Sequence, residues 1–254
     1  MTASDLIHAL AIRNSDLVSL VGGGGKSTLL MALERAWGQG IILTTTTRMQ
    51  AAQAQSARAC LRLDEQDRLG DTLAAWGSCL IIGEISGDKA LGVPPTWPGR
   101  WLTRPDVAVV VVEADGARML PVKAPAEHEP ALPPDSTLVI VMAGLDALAG
   151  PIRQVAHRPN LVCSLTGLPA DANLTPSSLA TLLAHPQGGL KGVPTGARVL
   201  VCLNKADSAR DAQLAEQTAA RLSACSRIER VVVTSLQPLP QVIAVHQFAA
   251  SGYC

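Results

Sequence analysis

The chain has 254 residues, 48% of them hydrophobic, and its 21 basic and 21 acidic residues give a net charge of zero. A chain of this size can bury a large hydrophobic core, and we interpret residues 1–254 as one domain. Nucleic-acid binding is not expected, because it relies on a basic surface and on aromatic side chains that stack on bases. Aromatic residues make up only 2% of this sequence.

Neither a membrane protein nor a secreted protein is indicated. Residues 1–5 lack the basic segment with which secretory signals begin. The most apolar run, residues 107–112, is far too short to span a bilayer. The six cysteines are scattered without a Cys-x-x-Cys pair, which favours reduced thiols over disulfides or a zinc site. We therefore expect a cytoplasmic protein.

The first functional pattern along the chain is a glycine loop. An apolar run at residues 17–21 predicts a strand, four glycines follow it, and residues 26–37 predict a helix. This is the layout of a phosphate-binding loop, since glycines let backbone N–H groups converge on one anion and a helix N-terminus adds free N–H groups. Lys26 would then reach the β- and γ-phosphates, and the Ser27 hydroxyl would bind Mg²⁺. The predicted nucleotide-binding residues of this loop are Gly22, Gly23, Gly24, Gly25, Lys26, Ser27 and Thr28.

The loop departs from the pattern Gly-x-x-x-x-Gly-Lys-Ser/Thr, because Leu20 stands at its first position. Residues 22–27 fit the shorter form Gly-Gly-x-Gly-Lys-Ser/Thr, which resembles the deviant P-loop of the MinD, signal-recognition and nickel-chaperone NTPases. Many ATPases of that branch carry a lysine where this chain has Val21. The resemblance implies an α/β fold with a mostly parallel, doubly wound sheet and helices on both faces. A glycine-rich turn with an incidental lysine is the alternative.

A second strand begins at residues 41–43 and runs into four threonines, residues 44–47, and Arg48. Because threonine favours strands, these residues could simply end the strand. Alternatively, they could contact Mg²⁺ or phosphate, since ligands bind at the carboxyl ends of parallel strands. The other elements predicted up to residue 104 are a helix over residues 4–12, a helix-rich stretch over 50–73, a strand over 79–82 and a surface excursion over 83–104.

Residues 106–112 form a β-branched run, the pattern of a strand buried on both faces. Glu113 and Asp115-Gly116 follow it. A carboxylate at the tip of a buried strand beside a phosphate loop is expected to hold Mg²⁺ or its water shell. The Glu-x-x-Gly spacing looks like that of nickel-insertion GTPases, but Asp115 competes for the same role, and a capping Asp-Gly turn is also possible. The predicted Mg²⁺ ligands are Ser27 with Glu113 or Asp115.

Residues 117–130 are charged and interrupted by prolines. In this class of fold, the segment at this position responds to the γ-phosphate. Arg118 and Lys123 could contact phosphate or an anionic substrate, and residues 127–129 could orient water or bind a metal. Each of them could equally lie in a solvated loop. The candidate catalytic residues are Lys26, Glu113, Asp115 and Arg118.

A predicted strand at residues 198–203 ends in Asn204-Lys205-Ala206-Asp207. This Asn-Lys-x-Asp motif resembles the guanine-reading loop of GTPases, where the aspartate accepts two N–H groups that adenine does not offer. We therefore expect Asn204, Lys205 and Asp207 to bind GTP in preference to ATP. The remaining predictions are strands over 137–142 and 230–233, helices over 176–184, 208–224 and 241–250, and polar segments near His157 and Lys191 that could lie at the site.

The segments 21–28, 44–49, 113–130 and 204–207 together closely resemble the selenium-dependent hydroxylase accessory proteins (YqeC-like). The resemblance covers most of the chain and implies a role in maturing a selenium-dependent molybdenum hydroxylase or its cofactor, rather than a reaction. From the residues, we predict a Mg²⁺-dependent GTPase that signals its nucleotide state to a partner, and a homodimer is possible. The alternatives are a small-molecule kinase or transferase for an anionic substrate, and a nucleotide-gated binding module without turnover.

Overall fold

A nine-stranded sheet forms the centre of the protein, as seen in a computed structural model that describes residues 3–248. In chain order the strands are β1 (Leu17–Gly22), β2 (Ile41–Thr45), β3 (Met49–Gln50), β4 (Cys60–Arg62), β5 (Ser78–Ile82), β6 (Ile85–Ser86), β7 (Lys89–Ala90), β8 (Val109–Glu113), β9 (Val122–Lys123), β10 (Leu138–Gly144), β11 (Ala156–His157), β12 (Arg198–Asn204), β13 (Arg230–Ser235) and β14 (Gln241–Gln247).

Helices cover the sheet on both faces. They are α1 (Ala3–Ala9), α2 (Lys26–Trp37), α3 (Ala51–Ala54), α4 (Leu69–Trp76), α5 (Trp97–Leu102), α6 (Ile152–Val155), α7 (Pro159–Thr166), α8 (Pro176–Ala184) and α9 (Ala209–Leu222), with 3-10 turns at Leu63–Arg68 and Leu145–Leu148. One hydrophobic cluster packs α1 and α2 on the sheet, and a second packs α4, α5, α8 and α9 on the opposite face. Because β8 is buried from both sides, its valines form the continuous apolar run seen in the sequence.

The order of strands in the sheet is β14-β13-β12-β10-β1-β8-β2-β5-β4. The neighbouring pairs are parallel except β13 with β14, which is antiparallel. The predicted α/β class, with a mostly parallel doubly wound sheet and helices on both faces, is therefore confirmed. In such a sheet the carboxyl ends of the parallel strands meet at one edge. The residues that follow β1, β8, β10 and β12 consequently lie along the same edge.

Several local predictions hold, because capping and periodicity are local signals. The helix predicted over residues 26–37 has those bounds in the structure. The helix predicted over 176–184 begins after Thr175, whose hydroxyl accepts a hydrogen bond from the Ser178 N–H.

Within residues 3–248, no helix is both long and apolar enough to cross a membrane.

The prediction of a helix over residues 241–250 is wrong for the part of that range that the structure describes. Residues 241–247 form β14, and residues 249–250 lie outside the described chain. Val242, Ile243 and Val245 are β-branched and favour a strand, and the free edge of β13 supplies an antiparallel partner.

The stretch over residues 50–73 is less helical than predicted. It contains β4, in which only Leu61 is buried, and a three-residue strand with a single buried position leaves too short a pattern to detect. The excursion over 83–104 contains the hairpin β6–β7 and the helix α5 with its buried Trp101.

Candidate functional site

The glycine loop joins β1 to α2 through backbone conformations that glycine adopts readily. Gly22, Gly24 and Gly25 have φ angles of 95°, 74° and 129°, in the region that other residues avoid. A side chain at Gly24 would also collide with the backbone of Gly144 at the end of β10. Two independent constraints, conformation and close approach, therefore account for the run of glycines.

The N-terminus of α2 is open for an anion. Gly25 precedes the helix, and in the described part of the chain no side chain caps it. The first N–H groups of an α-helix have no partner within the helix, so those of Lys26, Ser27 and Thr28 are available to phosphate oxygens. The helix dipole adds to this attraction.

Lys26 lies in the centre of the site, with only 4% of its surface exposed. Its Nζ donates to the Gly22 carbonyl at 2.5 Å. The same atom lies 3.2 Å from Asp115 Oδ1 and 3.9 Å from Glu113 Oε1. The ammonium group is thus held between the glycine loop and two carboxylates, at the mouth of the anion site.

Ser27 and Glu113 form a hydroxyl–carboxylate pair. Ser27 Oγ donates to Glu113 Oε2 at 2.8 Å. Burial raises the pKa of Glu113, while the nearby Lys26 ammonium and the Ser27 hydroxyl act in the opposite direction. Mg²⁺ prefers hard oxygen ligands and usually keeps several waters, so this pair fits a Mg²⁺ ion bound directly or through water.

Asp115 has a different set of partners from Glu113. Its Oδ2 accepts a hydrogen bond from the Gly22 N–H at 3.1 Å and lies 3.1 Å from Lys123 Nζ. Its Oδ1 is buried and accepts no hydrogen bond within the described chain, but Lys26 Nζ lies 3.2 Å from it as an ion-pair partner. The two carboxylates that the sequence left equivalent are therefore distinguished, since Glu113 contacts the serine and Asp115 contacts the loop and two lysines.

The segment over residues 117–130 packs on the glycine loop. The Leu120 carbonyl accepts a hydrogen bond from the Gly24 N–H at 3.1 Å. Lys123, which was a candidate phosphate contact, has a side chain that is only 1% exposed. It donates to the Gly116 carbonyl at 2.8 Å and to Glu129 Oε2 at 2.6 Å. In this structure it holds carboxylates together and does not face an open anion site.

Glu129 links this segment to the polar stretch near His157. Arg158 binds both carboxylate oxygens of Glu129, at 2.6 and 3.0 Å, while β9 pairs in parallel with β11. Partial burial by itself would raise the pKa of Glu129, but the hydrogen bonds from Arg158 and Lys123 outweigh it and lower the pKa to about 2. Burial and the neighbouring cations, Arg158 first, lower the pKa of His157.

The other charged candidates of this region lie further out. Arg118, Glu127 and His128 are all exposed. The backbone of Arg118 has a φ of 49°. Lys191 donates to the Glu127 carbonyl at 3.1 Å and also to the carbonyl of Ala126. Lys191 therefore tethers the segment rather than presenting a free cation.

The Asn-Lys-x-Asp loop is attached to the glycine loop. Asn204 Nδ2 donates to the Gly24 carbonyl at 2.8 Å. Asp207 Oδ1 accepts a hydrogen bond from Ser235 Oγ at 2.6 Å. Lys205 Nζ lies 2.6 Å from Asp146 Oδ2, a partner that sequence reasoning missed because no local pattern joins positions so far apart.

The threonines at the end of β2 donate hydrogen bonds to backbone carbonyls. The hydroxyls of Thr44, Thr45 and Thr46 donate to the carbonyls of Ile81, Glu113 and Ala131 at 2.6, 3.0 and 2.7 Å. These hydrogen bonds favour the interpretation of the threonines as a plain strand end over their interpretation as Mg²⁺ ligands. Arg48 is exposed at the same edge of the sheet.

Comparison with known proteins gives two matches. The family model described as YqeC protein matches residues 18–160. The curated protein named "Uncharacterized protein YqeC", from Escherichia coli (strain K12), is 33% identical over 199 residues, which are 77% of this chain and 78% of that protein. No solved structure matches the chain. The family match includes the glycine loop, Glu113 and Asp115, whereas the Asn-Lys-x-Asp loop lies beyond residue 160.

Proposed function

The chain belongs to the YqeC family, and we propose that it is a Mg²⁺-dependent nucleoside triphosphatase that prefers GTP to ATP. One observation carries the proposal: two loops distant in sequence are both bonded to the glycine-loop region. Glu113, the last residue of β8, accepts from Ser27 at 2.8 Å, and Asn204, the last residue of β12, donates to the Gly24 carbonyl at 2.8 Å. A triphosphate, its metal ion and its base require these three groups side by side.

The glycine loop and α2 would bind the phosphates. The free N–H groups at the start of α2 would contact phosphate oxygens. Lys26 now bonds to Gly22 and Asp115, and a phosphate oxygen would replace one of these partners. Positioning and neutralising the phosphates is most of what phosphoryl transfer requires from a protein.

Ser27 and Glu113 would hold the Mg²⁺ ion. Bound there, Mg²⁺ supplies positive charge to the β- and γ-phosphates. The Ser27–Glu113 hydrogen bond of 2.8 Å fixes the hydroxyl oxygen beside the carboxylate before the ion binds. Preorganisation of this kind avoids the cost of ordering the ligands during binding.

The preference for GTP rests on Asp207. Its carboxylate is exposed, and Ser235 Oγ orients it by donating to Oδ1 at 2.6 Å. A carboxylate offers two acceptor oxygens for two N–H groups. Guanine offers two N–H groups side by side, and adenine does not. Lys205 would lie along the base plane, anchored by Asp146.

The experiment that tests the proposal is calorimetric titration of GTP and ATP, each with Mg²⁺, into the wild type and Asp207→Ala. Losing a contact to a charged acceptor should weaken GTP binding by about 1.5–3 kcal/mol and leave ATP binding almost unchanged. The matched control is Glu216→Ala, which removes an exposed carboxylate of α9. Equal binding of ATP and GTP, or no effect of Asp207→Ala, would contradict the guanine preference.

We also propose that the protein acts as an accessory factor for a selenium-dependent molybdenum hydroxylase or its cofactor. The resemblance of the glycine loop and of residues 113–130 to that family supports this role. The segment over 117–130 is suited to signal the nucleotide state, because Leu120 bonds directly to Gly24. Binding of phosphate near Gly24 would thereby change the position of a surface segment.

A further inference from the structure

Two N–H groups of the glycine loop donate to oxygens of the chain that follows β8. The Gly22 N–H donates to Asp115 Oδ2 at 3.1 Å. The Gly24 N–H donates to the Leu120 carbonyl at 3.1 Å. In a phosphate-binding loop, convergent N–H groups of this kind bind phosphate oxygens. The protein therefore places two oxygens of its own on donors that suit phosphate.

Asp115 also pairs with the lysine of the loop. Its Oδ1 lies 3.2 Å from Lys26 Nζ, while its Oδ2 accepts from Gly22. One carboxylate thus contacts a loop N–H group and an ammonium group, the two kinds of donor that a phosphate would contact here. Asp115 is an incomplete substitute, because its buried Oδ1 accepts no hydrogen bond in the described chain, and a buried oxygen without one is unfavourable.

The backbone after Asp115 lies directly on the glycine loop. A Cβ atom at Gly23 would approach the carbonyl oxygens of Leu120 and Pro121 to 2.7 and 2.9 Å. The Pro121 carbonyl accepts a further hydrogen bond from the Gly144 N–H at 2.9 Å. We refer to residues 115–121 as the covering segment, since its oxygens lie against the loop and leave no space for another group at these contacts.

The covering segment contains a strained turn. The Leu120 N–H donates to the Ala117 carbonyl at 3.0 Å, and the two residues between them, Arg118 and Met119, have φ angles of 49° and 63°. For residues other than glycine this conformation costs about a factor of ten in an equilibrium constant. Met119 is 91% exposed, so packing of its side chain does not offset the strain. Release of the turn would relieve it.

We infer that the covering segment is autoinhibitory: it holds donors that the phosphates of GTP require, and GTP must displace it to bind. The inference rests on the proposed function and deepens it by naming how nucleotide binding is regulated. In the exchange, a phosphate replaces Asp115 at Lys26, and a phosphate oxygen replaces the Leu120 carbonyl at Gly24. Relief of the strained turn offsets part of the cost of the displacement.

The first test weakens the hold of the covering segment on the loop. Asp115→Asn keeps the shape of the side chain and removes the charge that pairs with Lys26. GTP with Mg²⁺ should then bind about 10-fold more tightly, because a contact to a charged acceptor is worth about this factor. The measurement is calorimetric titration, and the control is Asp71→Asn, which changes an exposed carboxylate of α4. Weaker binding to Asp115→Asn would contradict the inference, since a ligand of Mg²⁺ behaves in that way.

The second test changes the strain alone. Met119→Gly and Met119→Ala both remove the exposed side chain, but only glycine adopts a positive φ without strain. Met119→Gly should stabilise the covering segment on the loop and bind GTP about 3- to 10-fold more weakly than Met119→Ala. Because the position is exposed, both variants should fold. Equal affinities would show that the strained turn does not control binding.

Hydrogen exchange of the wild type measures the displacement directly. On addition of GTP and Mg²⁺, backbone amides of residues 117–124 should exchange faster, and those at the start of α2 should exchange more slowly. Exchange over residues 117–124 that is unchanged or slower would refute the displacement.

The outcomes separate this inference from the proposed function. Binding of GTP to Asp115→Asn that exceeds binding to the wild type would support both. Binding of GTP to the wild type that Asp115→Asn weakens would refute the autoinhibitory role alone. Failure of the wild type and of Asp115→Asn to bind either GTP or ATP would refute both.

Discussion

At the scale of single residues, the site depends on pairing buried charges. Lys26 is 4% exposed and Asp115 is 2% exposed, and each would be costly to bury alone. At their separation of 3.2 Å, each charge compensates the other. A phosphate bound near Lys26, as we propose, would compete with Asp115 for the same ammonium group and would thereby link nucleotide binding to the position of that carboxylate.

The pair Ser27–Glu113 supports a prediction about the metal ion. We expect Ser27→Ala and Glu113→Gln to raise the Mg²⁺ concentration needed for GTP binding by about 10- to 100-fold, because each removes one oxygen of the 2.8 Å pair. The measurement is GTP affinity as a function of Mg²⁺ concentration. Glu127→Gln changes an exposed carboxylate of the next segment and serves as the control, and a Mg²⁺ dependence unchanged in both site variants would argue against this ligand set.

At the scale of elements, the segment over residues 117–130 is fixed by a chain of ion pairs. Asp115, Lys123, Glu129 and Arg158 follow one another at 3.1, 2.6 and 2.6 Å. The chain runs from the glycine loop, through β9, to the start of α7. An element bonded at both ends in this way would be suited to carry a signal from the proposed phosphate site to the surface.

The lowered pKa of Glu129 predicts how this chain responds to acid. Its pKa is about 2 in the folded protein, against an ordinary value of 4.5. A lowered pKa contributes stability that is fully present above the ordinary value and is lost as the pH falls through the folded value. The contribution of Glu129 should therefore be intact above about pH 4.5 and disappear towards pH 2.

Glu129→Gln tests this prediction. The variant should lower the free energy of unfolding at pH 7 by about 1–3 kcal/mol, less than for a fully buried pair, and should lose less stability than the wild type between pH 5 and pH 2.5. The measurement is thermal unfolding across that range. The control Glu127→Gln removes an exposed carboxylate nearby, and parallel pH curves for the wild type and Glu129→Gln would contradict the prediction.

At the scale of the whole molecule, the sheet brings remote segments to one edge. β1 lies between β8 and β10, so Glu113 and Asp115 adjoin the glycine loop on one side. β12 follows β10 on the other side, and Asn204 reaches back to Gly24. If a nucleotide binds as we propose, its phosphate end and its base end would fall on opposite sides of β1, and the exposed Arg118 and Met119 would lie next to the phosphate end.

If the protein acts as we propose, this arrangement predicts that its accessory function requires nucleotide binding. In a strain that lacks the gene, we expect the activity of selenium-dependent molybdenum hydroxylases to fall, and the wild-type gene to restore it. Genes encoding Lys26→Ala or Asp207→Ala should fail to restore it, whereas Glu216→Ala should succeed. Full hydroxylase activity in the deletion strain would refute the accessory role, and restoration by Lys26→Ala would show that nucleotide is not needed for it.

The sequence by itself determined the elements whose signals are local. The apolar run into four glycines defined β1 and the start of α2, and the β-branched run ending in Glu113 defined β8. Together with the Asn-Lys-x-Asp motif, these patterns predicted a doubly wound sheet and the strand ends at which the site lies. They succeed because hydrophobic periodicity, glycine conformation and helix capping depend on neighbours within a few residues.

Only the tertiary structure decided which partners those residues have. In the structure, Glu113 contacts Ser27, Asp115 contacts two lysines, and the side chain of Lys123 is buried away from the open site. The tertiary structure also made β14 a strand, because the edge of β13 was free to pair. Ion pairs and edge pairing join positions far apart in the chain, and their energies depend on burial and distance, which no local pattern of residues contains.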